Sequence, residues 1–327
     1  NNVTFPAEAK WEDGDYAASM TERVLDQLAA HGTTAFAGYA TVHHEATRRA
    51  MRVCADRGVR AAVGQVLMDQ QAPDDLLRPV SQLLREARLL QEEWVDTTAR
   101  IEAAVTPRFA VSCSLPLLAG AGQLAGQSGA MVQTHLAEML PECELAVELH
   151  GTSTYTRIYD QAGLLTRRSV LAHGIWLNQD EMRCLARAAS VIAHCPTANT
   201  FLQSGTMSRQ ALHEAGIRTT LGSDIGGGTE RSMVRIARAM IDAAKSLDTE
   251  FPDASECWHQ ITAGNADALG WPNTSRLVSG AEADVLVVKP DVPWRDAPNP
   301  LSMLLYTWDD RWLKQTIVAG QIVFNAP

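Results

Sequence analysis

The chain has 327 residues, and its 46% hydrophobic and 20% charged residues are typical of a globular protein with a sizeable core. A balance of 28 Lys and Arg against 38 Asp and Glu gives a net charge of −10, which argues against nucleic acid or an anionic membrane as a partner. No apolar run approaches the roughly 18 residues that a membrane span needs.

The amino-terminal residues and the cysteines predict a cytoplasmic location. Residues 1–15 are polar and acidic, unlike a signal peptide, and they lack an initiator methionine, so we expect the natural start to lie upstream. The six cysteines are scattered without a CxxC pair. This spacing excludes a zinc ribbon and predicts reduced thiols in a cytoplasmic protein.

Apolar runs alternate with helical patterns along most of the chain. A helix at about 15–31 comes first. Predicted strands follow at 33–40, 59–66, 100–106, 130–135, 169–173, 190–194 and 218–224. Helix-compatible segments follow each strand, the clearest at 44–57 and 77–96. Gly32, Gly58 and Gly216 each stand shortly before a strand, where glycine fits the end of a helix.

This alternation predicts parallel strands joined by crossover helices, and therefore an α/β fold. Seven strand–helix units precede residue 250, whereas a closed barrel has eight. Because the first element is a helix, we expect a TIM-type (β/α)8 barrel over residues 1–272 whose first strand is missing from this chain. An open, doubly wound sheet of seven strands is the alternative.

The character of the sequence changes after residue 250. Helices are predicted at about 254–263 and 265–270, before short strands in the last fifty or so residues. Gly280 and Gly320 mark tight turns there. Residues 273–327 are therefore interpreted as the C-terminal part of a small, incomplete β-sheet domain with a closing helical segment, since so few strands are unstable alone.

Polar side chains stand at the ends of several predicted strands, where parallel barrels place their active sites. They are Arg108, His135, Glu138, His173, His194 and Asp224, and the aromatic residue Phe109 follows Arg108. Each has an ordinary alternative, because a histidine can be structural and Asp224 can start a turn. Together, however, two histidines and an aspartate on separate strands suit a divalent ion such as Zn²⁺. A carboxylate three residues after His135 suits a proton carrier. His43 and His44 follow the first strand and are weaker candidates.

Several of these motifs resemble a known family. The segments are TFPAEA, GTTAFAGYATVH, VTPRFA, QTHLAE, LAHG, IAHCPTANTFLQSG and LGSDIGGG. In this order they are similar to the guanine deaminase family of the amidohydrolase superfamily. TPRF together with QTHLAE is fairly specific, whereas AHCP and SD are shared with other purine, pyrimidine and triazine hydrolases.

The resemblance implies zinc-dependent hydrolysis of guanine to xanthine and ammonia in purine catabolism, with one Zn²⁺ per subunit of a homodimer. It implies that His135 and Asp224 bind the metal and contact substrate, and that His173 joins them or holds the metal-bound water. Glu138 and Asp224 would move protons during catalysis. Arg108 would bind the purine carbonyl edge, and Phe109 would flank the ring.

The sequence departs from the family in one respect. The family carries an HxH motif at its first barrel strand, and this chain contains no HxH. We therefore expect weakened metal binding and low activity from this chain by itself. Two alternatives stay open: a related aminohydrolase that acts on 8-oxoguanine, another purine or a triazine, and a metal-poor, inactive homologue that binds a purine or a partner protein.

Overall fold

The computed structural model describes residues 3–95 and 100–326. Its α-helices are α1 Thr4–Ala9, α2 Gly14–Ala30, α3 His44–Asp56, α4 Val80–Trp94, α5 Leu115–Ser128, α6 Leu140–His150, α7 Tyr155–Gln161, α8 Gln179–Ala188, α9 Pro196–Phe201, α10 Arg209–Glu214, α11 Met233–Ser246, α12 Ala254–His259, α13 Asn265–Ala268 and α14 Pro300–Thr307. Its strands are β1 Ala35–Tyr39, β2 Arg60–Gly64, β3 Val66–Leu67, β4 Ile101–Ala103, β5 Thr106–Pro107, β6 Val132–Leu136, β7 Ser169–His173, β8 Val191–His194, β9 Arg218–Leu221, β10 Val285–Val288, β11 Leu313–Val318 and β12 Gln321–Asn325.

The chain forms two compact units. Unit 1 comprises Asn1–Leu25, Ala35–Leu171 and Trp176–Ser190, and unit 2 comprises Asp26–Thr34, Ala172–Ile175 and Val191–Pro327. No helix among the described residues is both long and apolar enough to cross a membrane. The division predicted at residue 272 is not tested by these units and stays a prediction.

Unit 1 is built on parallel strands. β2 lies between β1 and β4, and Ala62 is in register with Ala37 on one side and Glu102 on the other. β3 pairs in parallel with β5, so that Val66 lies opposite Thr106. Parallel neighbours need a crossover, and α3, α4 and α5 supply helices after these strands. The predicted strand–helix alternation is confirmed here.

Helix α5 has clear start and stop signals. The Ser114 hydroxyl accepts a hydrogen bond from the Leu117 amide at 3.4 Å, and Pro116 lies in the first turn. Gly129 ends the helix with φ of +68°, a conformation that glycine adopts without steric cost. The face of α5 that includes Leu117, Leu118 and Ala121 is buried.

Gly122, on the buried face of α5, leaves no room for a side chain. A Cβ atom there would collide with the carbonyl oxygen of Ala162, whereas a Cβ at Gly126 of the same helix would meet nothing within 4 Å. We therefore expect Gly122→Ala to lower the free energy of unfolding by about 1–3 kcal/mol. Gly126→Ala is the matched control and should raise it by up to about 1 kcal/mol. Thermal unfolding midpoints compare the two, and equal midpoints would contradict the prediction.

Unit 2 contains parallel strands β8 and β9, which place Ala193 opposite Thr220. Asn265, at the start of α13, secures the end of β9. Its side-chain amide donates to the Leu221 carbonyl at 3.0 Å, and its oxygen accepts from the Leu221 amide at 2.8 Å. The buried face of α11, which includes Ile236 and Met240, packs in the same hydrophobic cluster as Leu221. This clustering fixes the strand end from which Asp224 follows.

The predicted C-terminal strands form a three-stranded antiparallel sheet in unit 2. β11 lies between β10 and β12, with Thr316 opposite Leu286 and Phe324. The Thr316 hydroxyl also donates to the Ala29 carbonyl of α2 at 2.7 Å. The tight turn predicted at Gly320 is confirmed by its φ of +80°. The sheet therefore gains a partner outside residues 273–327.

Most predicted elements agree with the structure to within a few residues, and several differ. The predicted strands 59–66 and 100–106 are each divided into two, as β2 and β3 and as β4 and β5. Short helix α1 was not predicted. Strand β9 ends at Leu221, so Asp224 lies three residues beyond the strand rather than at its end. The helix predicted at 254–263 stops at His259, because a wide turn over Gln260–Gly264 interrupts it. Residue 96, the predicted end of another helix, lies outside the described residues.

Candidate active site

Arg108 directly follows β5 in unit 1 and is held by helix α1. Its Nη1 lies 3.5 Å from Oε2 of Glu8, and its guanidinium carbon lies 5.3 Å from the centre of the Phe5 ring. Burial raises the pKa of Glu8, and the positive charge of Arg108 lowers it. Since only about a quarter of the Arg108 side chain is exposed, at 27%, its planar donor group is held in one place.

His135 is fixed by the same segment. Its Nδ1 donates to the carbonyl oxygen of Arg108 at 2.7 Å, and its backbone amide donates to that oxygen at 3.0 Å. A carbonyl only accepts, so Nδ1 carries the proton and Nε2 carries the lone pair in the neutral ring. The imidazole centre lies 5.0 Å from the Tyr39 ring and 6.3 Å from the Phe109 ring. The structure thus brings Arg108, Phe109 and His135 together.

Glu138 lies in the turn between β6 and α6. Ala137 adopts a φ of +50°, which turns the chain sharply after the strand. Oε2 of Glu142 accepts the backbone amides of Glu138 and Met139, both at 3.1 Å. Glu142 was not predicted as a site residue, although a glutamate near the start of a helix is a recognisable capping signal.

His173 ends β7 and belongs to unit 2. Its ring is 1% exposed, and its Nδ1 lies 2.9 Å from Oδ1 of Asn199. If Nδ1 donates to this amide oxygen, Nε2 carries the lone pair of the neutral ring. Its φ of +76° is unusual for a residue with a side chain. Asn199 was missed by sequence reasoning, although it lies within the quoted IAHCPTANTF segment.

Asp224 lies in the loop after β9 and has a φ of +49°. The glycines that follow it leave space for its carboxylate, because a Cβ at Gly227 would lie 2.7 Å from Oδ2 of Asp224. The backbone amide of Gly227 donates to the Asp224 carbonyl at 3.0 Å, which closes the turn. The glycine run is therefore explained by the position of the carboxylate, and not only by the turn.

The donor atoms of these residues can be compared with the needs of zinc. A catalytic zinc commonly takes three protein ligands, and a ligand histidine commonly donates its other nitrogen to a carbonyl or carboxylate. His135 meets the second condition. Among residues 3–95 and 100–326, however, no three His, Cys, Asp or Glu side chains form a group that could hold a metal ion. The set of His135, His173 and Asp224 stays a prediction, and we derive no step through a metal.

His194 ends β8 in a closed apolar environment within unit 2. It is 2% exposed, and neither ring nitrogen has a hydrogen-bond partner among the described residues. Burial lowers the pKa of His194 to about 3, with smaller electrostatic contributions from Arg209 and His173. The imidazole is therefore neutral in the folded protein throughout the physiological pH range.

We expect this histidine to make the protein sensitive to acid. In the unfolded chain His194 takes up a proton near pH 6.5, whereas in the folded protein it does so only near pH 3. The contribution of the neutral His194 to the free energy of unfolding is therefore fully present above pH 6.5 and is lost as the pH falls towards 3. Between pH 7 and pH 5, the wild-type protein should lose about 2 kcal/mol more unfolding free energy than His194→Asn. Urea unfolding at both values measures this.

His213 supplies the control, because it is an exposed histidine on α10. The variant His213→Asn should follow the wild-type loss of stability with pH. An equal loss in His194→Asn and wild type would show that the buried imidazole does not cause the acid sensitivity.

Comparison with known proteins places this chain in a family. The family model for the amidohydrolase family matches residues 2–323, and the chain belongs to that family. Guanine deaminase of Dictyostelium discoideum is 34% identical over 342 residues, which cover 97% of this chain and 74% of the relative.

Two solved structures are also similar. Guanine deaminase from E. coli has a TM-score of 0.95 and 29% identity, covering 99% of this chain and 78% of that one. Guanine deaminase from C. acetobutylicum, described with guanine bound in the active site, has a TM-score of 0.93 and 30% identity, covering 99% and 80%. The predicted α/β barrel class of the amidohydrolase superfamily is thereby confirmed.

Proposed function

We propose that this protein hydrolyses guanine to xanthine and ammonia. The observation that carries the proposal is the cluster of Arg108, Phe109 and His135, which β5 and β6 hold together in unit 1. A planar guanidinium on the same segment as an aromatic ring suits a flat heterocycle with a carbonyl edge. The relatives and solved structures described as guanine deaminases support guanine as that heterocycle.

The residues divide the work of binding and proton transfer. Arg108 donates to the purine carbonyl edge, and Phe109 flanks the ring. Water adds to the ring carbon that bears the amino group, and Glu138 protonates the neighbouring ring nitrogen. The carbon becomes tetrahedral and the amino nitrogen is protonated. Ammonia leaves as the new hydroxyl group gives its proton to the Glu138 carboxylate and the carbonyl forms, which restores the protonated Glu138. Asp224 accepts the proton of the attacking water and returns it to the leaving nitrogen, while His173 orients that water.

Zinc is part of the proposal, with one ion per subunit and His135, His173 and Asp224 as candidate ligands. Binding of zinc at these residues has two measurable consequences. The purified protein should contain zinc, at one ion per chain or below it because the HxH motif is lacking, and His135→Ala and Asp224→Ala should each lower that content. Unchanged zinc content in both variants would remove these two residues from the ligand set.

The test of the proposed activity is a balance of products. Purified protein and guanine should give ammonia and xanthine in equal amounts, and 8-oxoguanine and an aminotriazine should react more slowly. Faster turnover of either analogue would show that the analogue, and not guanine, is the preferred substrate. No ammonia from any of the three would refute the deaminase function.

A second candidate function is favoured by one observation. Because no three-ligand group is assembled among the described residues, a metal-poor homologue that binds a purine without converting it fits the same cluster. Guanine binding measured by calorimetry, without zinc and without ammonia release, would identify that function. The predicted homodimer is also proposed, and light scattering of the purified protein tests it.

A further inference from the structure

A second glutamate, Glu142, holds the turn that carries Glu138. Oε2 of Glu142 accepts two backbone amides, those of Glu138 and Met139, each at 3.1 Å. Amides at the start of a helix have no partner within the helix, so a carboxylate there replaces bonds that would otherwise be made to water. The main chain of Glu138 is thereby tied to the first turn of α6.

This arrangement exceeds an ordinary helix cap. At α12, the side chain of Glu256 accepts the amide of Asp253, which is the residue that caps the helix, and its other oxygen lies 3.5 Å from Nη2 of Arg209. Glu142 accepts the amide of the corresponding residue, Met139, and also the amide of Glu138 before it. The additional bond falls on the residue proposed to carry the proton.

Tyr155 contacts the segment that carries Arg108 and Phe109. This tyrosine is 2% exposed, and its hydroxyl oxygen accepts the amide of Ala110, the residue after Phe109, at 3.2 Å. Burial raises the pKa of Tyr155 well above its usual value, so its hydroxyl keeps its proton. Burial also raises the pKa of Glu142.

A parallel connection fixes His135. The hydroxyl of Tyr159 donates to the His135 carbonyl at 2.7 Å and lies 3.0 Å from the Thr134 hydroxyl. The rings of Tyr155 and Tyr159 pack with their centres 5.5 Å apart. Two buried tyrosines on one turn of α7 therefore hold the two segments that carry Arg108 and His135.

The geometry points to Glu142 as a positioning residue for the proposed deamination. Glu142 holds the backbone from which the Glu138 side chain extends. A displacement of about 1 Å at a reacting group can cost about a hundredfold in rate. This inference rests on the proposed function, because it assigns Glu142 a part in the same reaction.

The experiment compares Glu142→Ala and Glu142→Gln with wild type in two measurements. Glu142→Ala should lower kcat for guanine at least about tenfold while KM changes less than about threefold, because proton transfer is misplaced and Arg108 still binds. Amide hydrogen exchange at Glu138 and Met139 should accelerate in the same variant. Glu142→Gln keeps an accepting oxygen and should restore most of kcat and of the amide protection.

Glu256→Ala is the matched control, because it removes a capping carboxylate of the same kind from α12. It should leave kcat and the exchange of Glu138 and Met139 unchanged. If Glu142→Ala does not fold, Glu142→Asp replaces it, because the shorter side chain withdraws the carboxylate from both amides, and faster exchange at Glu138 and Met139 with a reduced kcat is then expected.

Three outcomes would overturn the positioning role: kcat within twofold of wild type in Glu142→Ala, unchanged amide exchange in that variant, or a Gln variant as impaired as the Ala variant. A wild-type protein that releases no ammonia from guanine would instead refute the proposed function. In that case the exchange measurement still decides whether Glu142 holds the Glu138 turn.

Discussion

Glu138→Gln is expected to lower kcat for guanine deamination by about 10²–10⁴-fold. The amide keeps the size of the side chain and its polarity but cannot give a proton to the ring nitrogen. Because Arg108, Phe109 and His135 are unchanged, guanine should bind nearly as well as to the wild type. Initial rates of ammonia release give kcat, and calorimetry with guanine gives the dissociation constant.

The control for this substitution is Glu144→Gln, which changes an exposed glutamate on α6. It alters the net charge equally and should keep wild-type kinetics. Turnover by Glu138→Gln near the wild-type rate would remove Glu138 from proton transfer. Loss of guanine binding in that variant would make it a binding residue instead.

Arg108→Lys is expected to lower kcat/KM by about 10–100-fold, mainly through a higher KM. Lysine keeps the positive charge near Glu8, so the ion pair that holds α1 is retained in part. It lacks the planar pair of donors that matches a carbonyl edge, and a hydrogen bond from a charged group contributes about 1.5–3 kcal/mol. Steady-state kinetics with guanine measure the two constants.

An exposed arginine on α4 provides the matched control, since Arg85→Lys makes the same chemical change away from the cluster. Its kinetics should be those of the wild type. A fall in kcat without a rise in KM for Arg108→Lys would contradict a binding role and would indicate an interaction made only in the transition state.

The strands were predictable because their apolar runs are short and bounded by turn residues. β7 covers Ser169–His173, the same residues as the predicted strand, and His173 and His194 both end their strands. The proximity of Arg108 to His135 was also expected, since the ends of parallel strands meet at one edge. These features depend on local sequence patterns and on a topology rule.

Features that depend on distant contacts were not predictable. Helix α1 is only six residues long and buries none of them fully, and the proximity of Glu8 to Arg108 joins residues 100 positions apart. Glu142 carries a capping signal, but its bond to the Glu138 amide depends on the turn that Ala137 makes with positive φ. Such contacts arise from tertiary packing and leave no periodic trace in the sequence.

The lack of a side chain at Gly227 has a consequence for the evolution of this protein. A methyl group there would press against the carboxylate of Asp224, so the two positions are sterically coupled. An alanine at 227 would therefore displace the carboxylate of Asp224 from its present position. Natural variants of this protein should change these two positions together. Where Asp224 is replaced by a smaller residue, position 227 no longer needs to be glycine.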